Sequence, residues 1–493
     1  MNKTAVLIFV FLFLLIFSCS NDDKSKSDNT AEIPSTDKLL LKNDAVDITI
    51  WHYYNARQKD KFDELVTLFN NTVGSKYGVF VKSISRSGNF TELEHLLSEA
   101  LDRKIGADEI PNIFSAYSDT VFNLDSKGLI ADLSMYLSKE EQKEYLQGFL
   151  YSSNLNNSHG IKLFPIAKAT EVLILNKTAW IPFAKANNLT YKDLETWEGI
   201  TKTAELYYNW TDSFTDKEND GKAFFGRDAL ANYMLTGAYE LGSDIFEITK
   251  DKKVKYNLDK KIFRRLWNNH YIPYIKGYFT AKGKFRSDDF RTGELIACAA
   301  STSTSVYMPD YIADISGKIQ DIDIEILPIP HFKKAKNKTA VQQGASMAVI
   351  KSTEEKELAS VLFLKWFTDV TNNTEFAASA GYLPVKKAAL HIDNFKHFFK
   401  VENQKEKCIY DTIKVSIDTV NSCNLYAQPG FNNAYNARKI ISGIDTVAKQ
   451  DREKVKKETD MGKTLKEAVS EFGSDEHFNK WFESVKAGLD DLN

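Results

Sequence analysis

Cysteine is scarce in this sequence, with four residues in 493. Cys19 closes an N-terminal apolar run, so only Cys298, Cys408 and Cys423 belong to the body of the chain. That number excludes a small disulfide-stapled scaffold. None of the three has the histidine spacing of a metal site, and neither a metal nor a cofactor is expected. A basic excess is missing too: 64 Lys and Arg stand against 67 Asp and Glu, a formal net charge of −3. With no basic block and no base-stacking motif, nucleic acid is set aside as a partner. No G-x-S-x-G, HExxH, P-loop or G-x-G-x-x-G stretch occurs. The hydrolase, zincin and nucleotide chemistries that depend on those motifs therefore have no foothold. No tandem repeat is present.

What the sequence does have begins at its N-terminus. In MNKTAVLIFVFLFLLIFS, Lys3 precedes a dense apolar run from Ala5 to Phe17. The run is shorter than the ~20 apolar residues of a membrane span, and it fits the apolar core of an export signal over residues 1–18. It ends in Ile16-Phe17-Ser18-Cys19, which resembles the bacterial lipoprotein signal, where a small residue precedes the cysteine that is lipidated. The resemblance implies export and a lipid anchor on Cys19, holding the protein at the periplasmic or extracellular face of the bacterial cell membrane. A plain secretory peptide with an incidental cysteine is the alternative. Residues 19–46 are polar and charged, have little to bury, and read as a flexible tether.

A chain of 493 residues exceeds the roughly 250–300 at which single cores stop growing, so two domains are expected. The body opens with VDITIWHYY at 46–54, whose alternation predicts a strand. QKDKFDELVTLFNNT at 58–72 has helical spacing, GVFVKSISR at 78–86 reads as a strand, FTELEHLLSEALDRKIGA at 90–107 as a helix and PNIFSAY at 111–117 as a strand. This β-α-β-α-β order indicates a sheet with helices on its faces. HGIKLFPIAKATEVLILNKTAW at 159–180 holds two apolar strand-like runs, the first cut by Pro165. DDFRTGELIACAAS at 288–301 reads as a helix end, a Gly293 turn and a buried strand carrying Cys298. DIEILPIP and TAVQQGASMAVI are two more strands, and residues 391–493 are mostly helical. Cys408 and Cys423 are the candidates for a single disulfide, which export would permit.

Four segments in order then carry a resemblance: ITIWHYY; LFPIAKATEVLILNKTAW; FRTGELIACAASTST; and QGASMAVI followed by FLKWFTDVTNNTEFAASAGYLPVKKAAL. Together they resemble the family 1 extracellular solute-binding proteins of ABC importers, with the glycerol-3-phosphate-binding branch nearest in pattern. The resemblance covers roughly residues 46–490. It implies an α/β, two-lobed periplasmic-binding-protein fold (type II-like) with an interlobe cleft and a helical C-terminal part. The first lobe would comprise 47–170 and 304–346, the second 171–303 and 347–493. Lys168–Glu171, Ser301–Ser305 and Ser346–Val349 would be the hinges of a closing motion. The implied function is capture of a sugar or related polyol, free or phosphorylated, and its delivery to membrane permease subunits. The expected state is a monomer.

A polyhydroxylated solute calls for aromatic faces and a few orienting polar groups, set at the carboxyl ends of parallel strands. Trp51 and Tyr53 sit at such an end, sharing a face opposite Tyr54, so at least one aromatic is expected in the cleft. The resemblance adds the rest. Phe90 falls where the branch has a ligand-contacting tyrosine. Ser118 takes the strict place of a ligand-binding carboxylate, with Asp119 one residue on. Ala169 replaces a branch serine. Ser301, Gly344 and Tyr382 match a ligand-binding serine, a glycine of close approach and a tyrosine. The phosphate-binding arginine of the branch falls on Asn436, with Arg438 two residues further. The expected ligand set is therefore Trp51, Tyr53, Phe90, Asp119, Ser301, Gly344, Tyr382 and Arg438, with no catalytic residue. Two other classes remain open: a membrane-anchored glycoside-processing enzyme using two carboxylates such as Asp119 and Glu171, or a surface adhesin on the same fold.

Overall fold

The computed structural model describes Leu39 and residues 45–492, except 87–89, 152–159, 252, 314–316 and 318. The expected signal peptide (1–18), Cys19 and nearly all of the tether lie outside the described residues. The body begins with β1 (Val46–His52), α1 (Ala56–Phe69), β2 (Val79–Ser85), α2 (Phe90–Leu101), β3 (Ile113–Ala116) and α3 (Ser118–Asp125). The apolar spacing in α1 places Phe62, Leu65, Val66 and Phe69 on one buried face, as a 3.6-residue period requires. A second series follows: β4 (Glu171–Asn176), α4 (Lys177–Asn187), α5 (Trp197–Asp212), β5 (Phe225–Arg227), α6 (Leu230–Leu241) and β6 (Ala297–Ser301). Then come β7 (Ile324–Pro328), β8 (Thr339–Val341), β9 (Ser346–Val349), α7 (Glu354–Phe367), α8 (Val370–Ala380), α9 (Gln404–Ser422), β10 (Asn424–Tyr426), α10 (Ala434–Ser442), α11 (Ile444–Asp460) and α12 (Asp475–Asp490).

Two four-stranded sheets organise these elements, in the orders β9-β3-β1-β2 and β7-β4-β6-β5. In the first, β1 runs parallel to β2 and β3, and β9 is antiparallel to β3. In the second, β5 is parallel to β6, while β4 is antiparallel to both β6 and β7. Every residue of β4 is buried, the signature of a strand covered on both faces. Its alternate side chains serve two cores: Leu173 and Leu175 face the large cluster of α4, α5 and α6, and Val172 and Ile174 face Ile324, Ile326 and Cys298. The first sheet is likewise covered twice. Ile48, Ile50 and Val349 pack against Phe62, Phe363, Phe367 and Phe376, and Trp51, Phe114 and Ala348 against Leu93 and Leu97 of α2. The architecture is the expected two-domain α/β fold with mixed sheets.

Three expectations need correction. The partition at 303/304 and 346/347 does not follow the ladders. β7, expected in the first lobe, pairs with β4 of the second sheet, where its isoleucines complete the apolar face of Val172 and Ile174. β9, α7 and α8, expected in the second, close the first sheet, with β9 on β3 and Phe363, Leu364 and Phe367 in its core. α9 is shared, giving Ile409, Ile413 and Ile417 to the first core and Cys408 to the second. Next, TAVQQGASMAVI is two strands, β8 and β9, broken at 342–345, where Gly344 takes φ +86°. Ser346–Val349 is therefore a ladder strand and not a hinge. Finally, Cys408 and Cys423 are both free. Cys408 lies in the second turn of α9 and Cys423 caps its C-terminus; at 1.5 Å per residue about 22 Å separates them, far beyond disulfide reach.

Candidate functional site

A cavity of about 390 Å³ lies between the two sheets' elements. One side is built by the start of α2 (Phe90, Glu94) and the turn from β3 into α3, Tyr117 to Asp119. The other side is built by Asn232 of α6, by Tyr426 and Gln428 at and after β10, and by Arg438 of α10. The break between β8 and β9 supplies Gln342, Gln343 and Gly344. Strand direction explains the first side: β3 runs toward the cavity, and the residues beyond its carboxyl end open into the crevice. Ser118 Oγ donates across the cavity to the carbonyl of Gln428 at 2.9 Å.

The cavity carries both signs of charge. On the first side, burial raises the Glu94 carboxyl, against the hydrogen bond that it accepts from Thr120; the neighbouring charge of Asp119 raises it further. On the other, Arg438 is held by a chain of side chains. Its Nη2 donates to Asn232 Oδ1 and its Nη1 to Gln428 Oε1 at 3.1 Å. Asn232 Nδ2 in turn donates to Glu171 Oε1 at 2.7 Å, and Arg227 Nη2 donates to Glu171 Oε2 at 2.9 Å. Burial pushes the Glu171 carboxyl up, with the charge of Arg227 opposing, and lowers both guanidinium groups. Arg227 also lies about 5 Å over the rings of Trp197 and Tyr233 (5.0 and 4.9 Å), which favours its cationic form. Between the sides, burial lowers the Lys168 ammonium to about 7. Lys168 Nζ donates to the Gly344 carbonyl at 3.0 Å and to Ser346 Oγ at 2.7 Å. Two buried wall atoms, Gln343 Oε1 and Tyr426 OH, have no hydrogen-bond partner among the described residues. Such atoms cost about 1–3 kcal/mol each unless another group pairs with them.

A family model for bacterial extracellular solute-binding proteins matches residues 76–400. The chain belongs to that family. A comparison with curated protein sequences finds no match. Among solved structures, this solute-binding protein is similar to UgpB of Mycobacterium tuberculosis in complex with glycerophosphocholine, at 17% identity and TM-score 0.63, over 91% of this chain and 100% of that one. It is similar to the GacH receptor of Streptomyces glaucescens, known with acarbose, at 14% identity and TM-score 0.61, over 91% and 100%. It is also similar to the cyclic α-maltosyl-1,6-maltose binding protein of Arthrobacter globiformis, at 14% identity and TM-score 0.60, over 90% and 99%. At these identities the likeness is one of fold. No helix among the described residues is long and apolar enough to cross a membrane, and no group of three or more His, Cys, Asp or Glu among them is placed to hold a metal ion.

Of the eight residues expected at the site of the binding protein, Phe90, Asp119, Gly344 and Arg438 line the cavity. Tyr53 and Tyr382 stand just behind its wall. Their hydroxyls lie 3.4 Å apart, and Tyr53 also accepts a bond from Ala345 N at 3.4 Å. Tyr53 is packed 6.0 Å from Phe90, which meets Tyr117 edge-on at 4.4 Å. Tyr117 and Phe90 thus bring aromatic rings to the cavity from the first side, and Tyr426 and Tyr435 from the other. Ser301 does not line it; as the last residue of β6 it pairs with Glu171, and its hydroxyl meets Ser303 Oγ at 3.1 Å. Trp51 does not line it either. The face of β1 that carries Trp51 is covered by α2, and Arg86 caps the indole at 3.9 Å. The aromatic expected from that strand is core. Sequence reasoning did not select Lys168, Asn232, Tyr426 or Gln428. Asn232 had a usable signal: an amide among the apolar residues of DALANYMLTG, buried only if something pairs with it.

Proposed function

We propose that this protein is the solute-capturing component of an ABC importer. It takes a sugar or related polyol between its two α/β units and hands it to membrane permease subunits. The observation that carries this reading is the composition of the cavity. Carboxylates, amides and a guanidinium surround it from both sides, and Phe90 and Tyr117 add apolar ring surface. Hydroxyl groups both donate and accept, so a polyol satisfies such a mixed wall, including Gln343 Oε1 and Tyr426 OH, better than an apolar solute would. Relatives of the same fold that hold acarbose and glycerophosphocholine, or are named for a maltosyl sugar, support the class. The connectors at 168–171, 301–305 and 342–345 take up the closing rotation. The mature protein is a monomer held at the membrane by lipid on Cys19, which the intact mass of the exported protein tests.

A thermal-shift screen followed by calorimetry tests the binding function. A solute at 100 times its dissociation constant stabilises the fold by about 2.7 kcal/mol. Neutral sugars, oligosaccharides and polyol phosphates form the panel. Arg438→Ala separates the ligand classes. Loss of 10-fold or more in affinity confined to the phosphorylated members assigns Arg438 to a phosphate, as its planar fork of donors suits. A neutral sugar whose binding is untouched by Arg438→Ala rejects the phosphate form. No midpoint shift with any member of the panel rejects the sugar or polyol reading.

A further inference from the structure

Outside the cavity, three side chains from separate parts of the chain meet in one line. Glu240 lies in the last turn of α6, His331 in the connector between β7 and β8, and Cys423 between α9 and β10. His331 Nδ1 lies 2.5 Å from Glu240 Oε1, and His331 Nε2 lies 4.0 Å from Cys423 Sγ. A carboxylate only accepts, so the Nδ1 hydrogen points at Glu240 and Nε2 is the nitrogen that faces the sulfur. The carboxylate is itself fixed, accepting from the backbone N–H of Phe332 at 3.1 Å and of Thr339 at 3.2 Å. The sulfur is fixed through the parallel ladder of β8 and β10, in which Thr339 pairs with Asn424, the residue after Cys423. Burial opposes a charge on His331. The hydrogen bonds to Cys423 and Glu240, with the charge of Glu240, outweigh it and push the imidazole up to about 9. A cationic imidazole beside a thiol favours the thiolate, the nucleophilic form. Cys423 is partly exposed, whereas Cys298 and Cys408 are buried and burial pushes both of their thiols up, Cys408 to about 12.

We propose that Cys423, oriented against His331 and Glu240, is a reactive thiol that forms mixed disulfides with low-molecular-weight disulfides. The step is an exchange that balances within the pair. The Cys423 thiolate attacks one sulfur of the small disulfide. A new S–S bond forms, the old one breaks, and the departing thiolate takes the proton held at His331 Nε2. Cys423 is oxidised, half of the small disulfide is reduced, and no further oxidant enters. His331 is the proton donor and Glu240 the positioning residue in this scheme, and the solute cavity takes no part in it.

The test uses the folded protein and cystine as the probe. The adduct is followed by intact mass, located by peptide mapping, and timed from pH 6.5 to 8. An ordinary thiol with pKa near 8.5 loses rate about 20-fold over that descent, and free cysteine serves as that reference. The expected result is a single adduct at Cys423 whose rate changes less than 3-fold, with His331→Asn restoring the steep dependence. An adduct rate that falls in parallel with free cysteine overturns the proposal. So does modification of Cys298 or Cys408 in preference to Cys423. The profile of the unmutated protein decides the matter even where His331→Asn fails to fold.

Discussion

Replacing Glu171 by Gln removes one negative charge from the most interconnected polar group beside the cavity. Arg227 and Asn232 both donate to its carboxylate, and Arg438 is held through Asn232. Arg227 and Glu171 are 2% and 5% exposed as side chains, so neither charge has water to turn to. Leaving one member of a buried ion pair unpaired costs about 3–5 kcal/mol. An amide cannot repair the loss. If the new carbonyl accepts from Asn232, the new NH₂ meets the Arg227 guanidinium. If it accepts from Arg227, the new NH₂ meets Asn232, whose amide must then turn and present its own NH₂ to Arg438. Either arrangement opposes two donors. The expected outcome in urea denaturation at pH 7 is a loss of about 3–5 kcal/mol with unchanged denaturant sensitivity. The double change Glu171→Leu with Arg227→Met removes both charges and, on the same reasoning, costs less than Glu171→Gln alone. A Glu171→Gln protein within about 1 kcal/mol of the parent, or a double variant less stable than the single one, refutes the argument.

Two further outcomes follow from single sites. Gly344→Ala forces a Cβ into the left-handed region at φ +86° and to 3.1 Å from the Ala167 carbonyl, so a loss of about 2 kcal/mol is expected by thermal or urea unfolding. A variant as stable as the parent would show that the turn at 342–345 relaxes freely. His52 is fully buried, and burial lowers its imidazole from 6.5 to about 4, against the charge of Asp63. A depressed histidine contributes stability above pH 6.5, and that contribution disappears as pH falls through 4, to a total of about 3 kcal/mol. Acid destabilisation between pH 6.5 and 4 should therefore shrink by about that amount in His52→Leu, which also removes two ring nitrogens that have no hydrogen-bond partner among the described residues. Equal acid sensitivity in the two proteins would remove His52 from the account.

The fold was largely legible because its signals are local. The alternation of VDITI, the heptad-like spacing of α1 and the glycine turn at 293 each follow from a few neighbouring residues, and each element formed where its period predicts. What was not legible depends on which sheet a strand joins. β7 and β9 are both short, largely apolar strands, and nothing within either sequence says that one pairs with β4 and the other with β3. Trp51 failed for a related reason. Its place at a strand end is readable, but its exposure depends on whether α2 covers that face. The disulfide expectation failed on geometry that a continuous helix would have supplied: Cys408 and Cys423 stand at opposite ends of α9.

The half of the site that sequence reading recovered and the half that it missed differ in kind. Asp119 and Gly344 are held by their own local turns, one in the first turn of α3 and the other in a positive-φ break. Arg438 was recovered too, but the side chains that hold it were not: Asn232 and Gln428 accept from it, and Glu171 accepts from Asn232, from three stretches far apart in the chain. Glu171 and Asn232 are buried and Arg438 and Gln428 half-buried, so the buried pair needs its partners in place and the set holds together as a whole. Glu171 opens β4, where the chain passes from the first sheet's elements into the second, and it pairs there with Ser301 at the end of β6. The guanidinium facing the cavity is thus tied, through two side chains, to the strand ends where the chain crosses. A solute that draws Arg438 toward itself must either leave Asn232 and Glu171 in place or pull on that crossing. Substitution at Glu171 is for this reason expected to weaken solute binding together with stability, whereas Gly344→Ala perturbs the wall without touching the chain of donors.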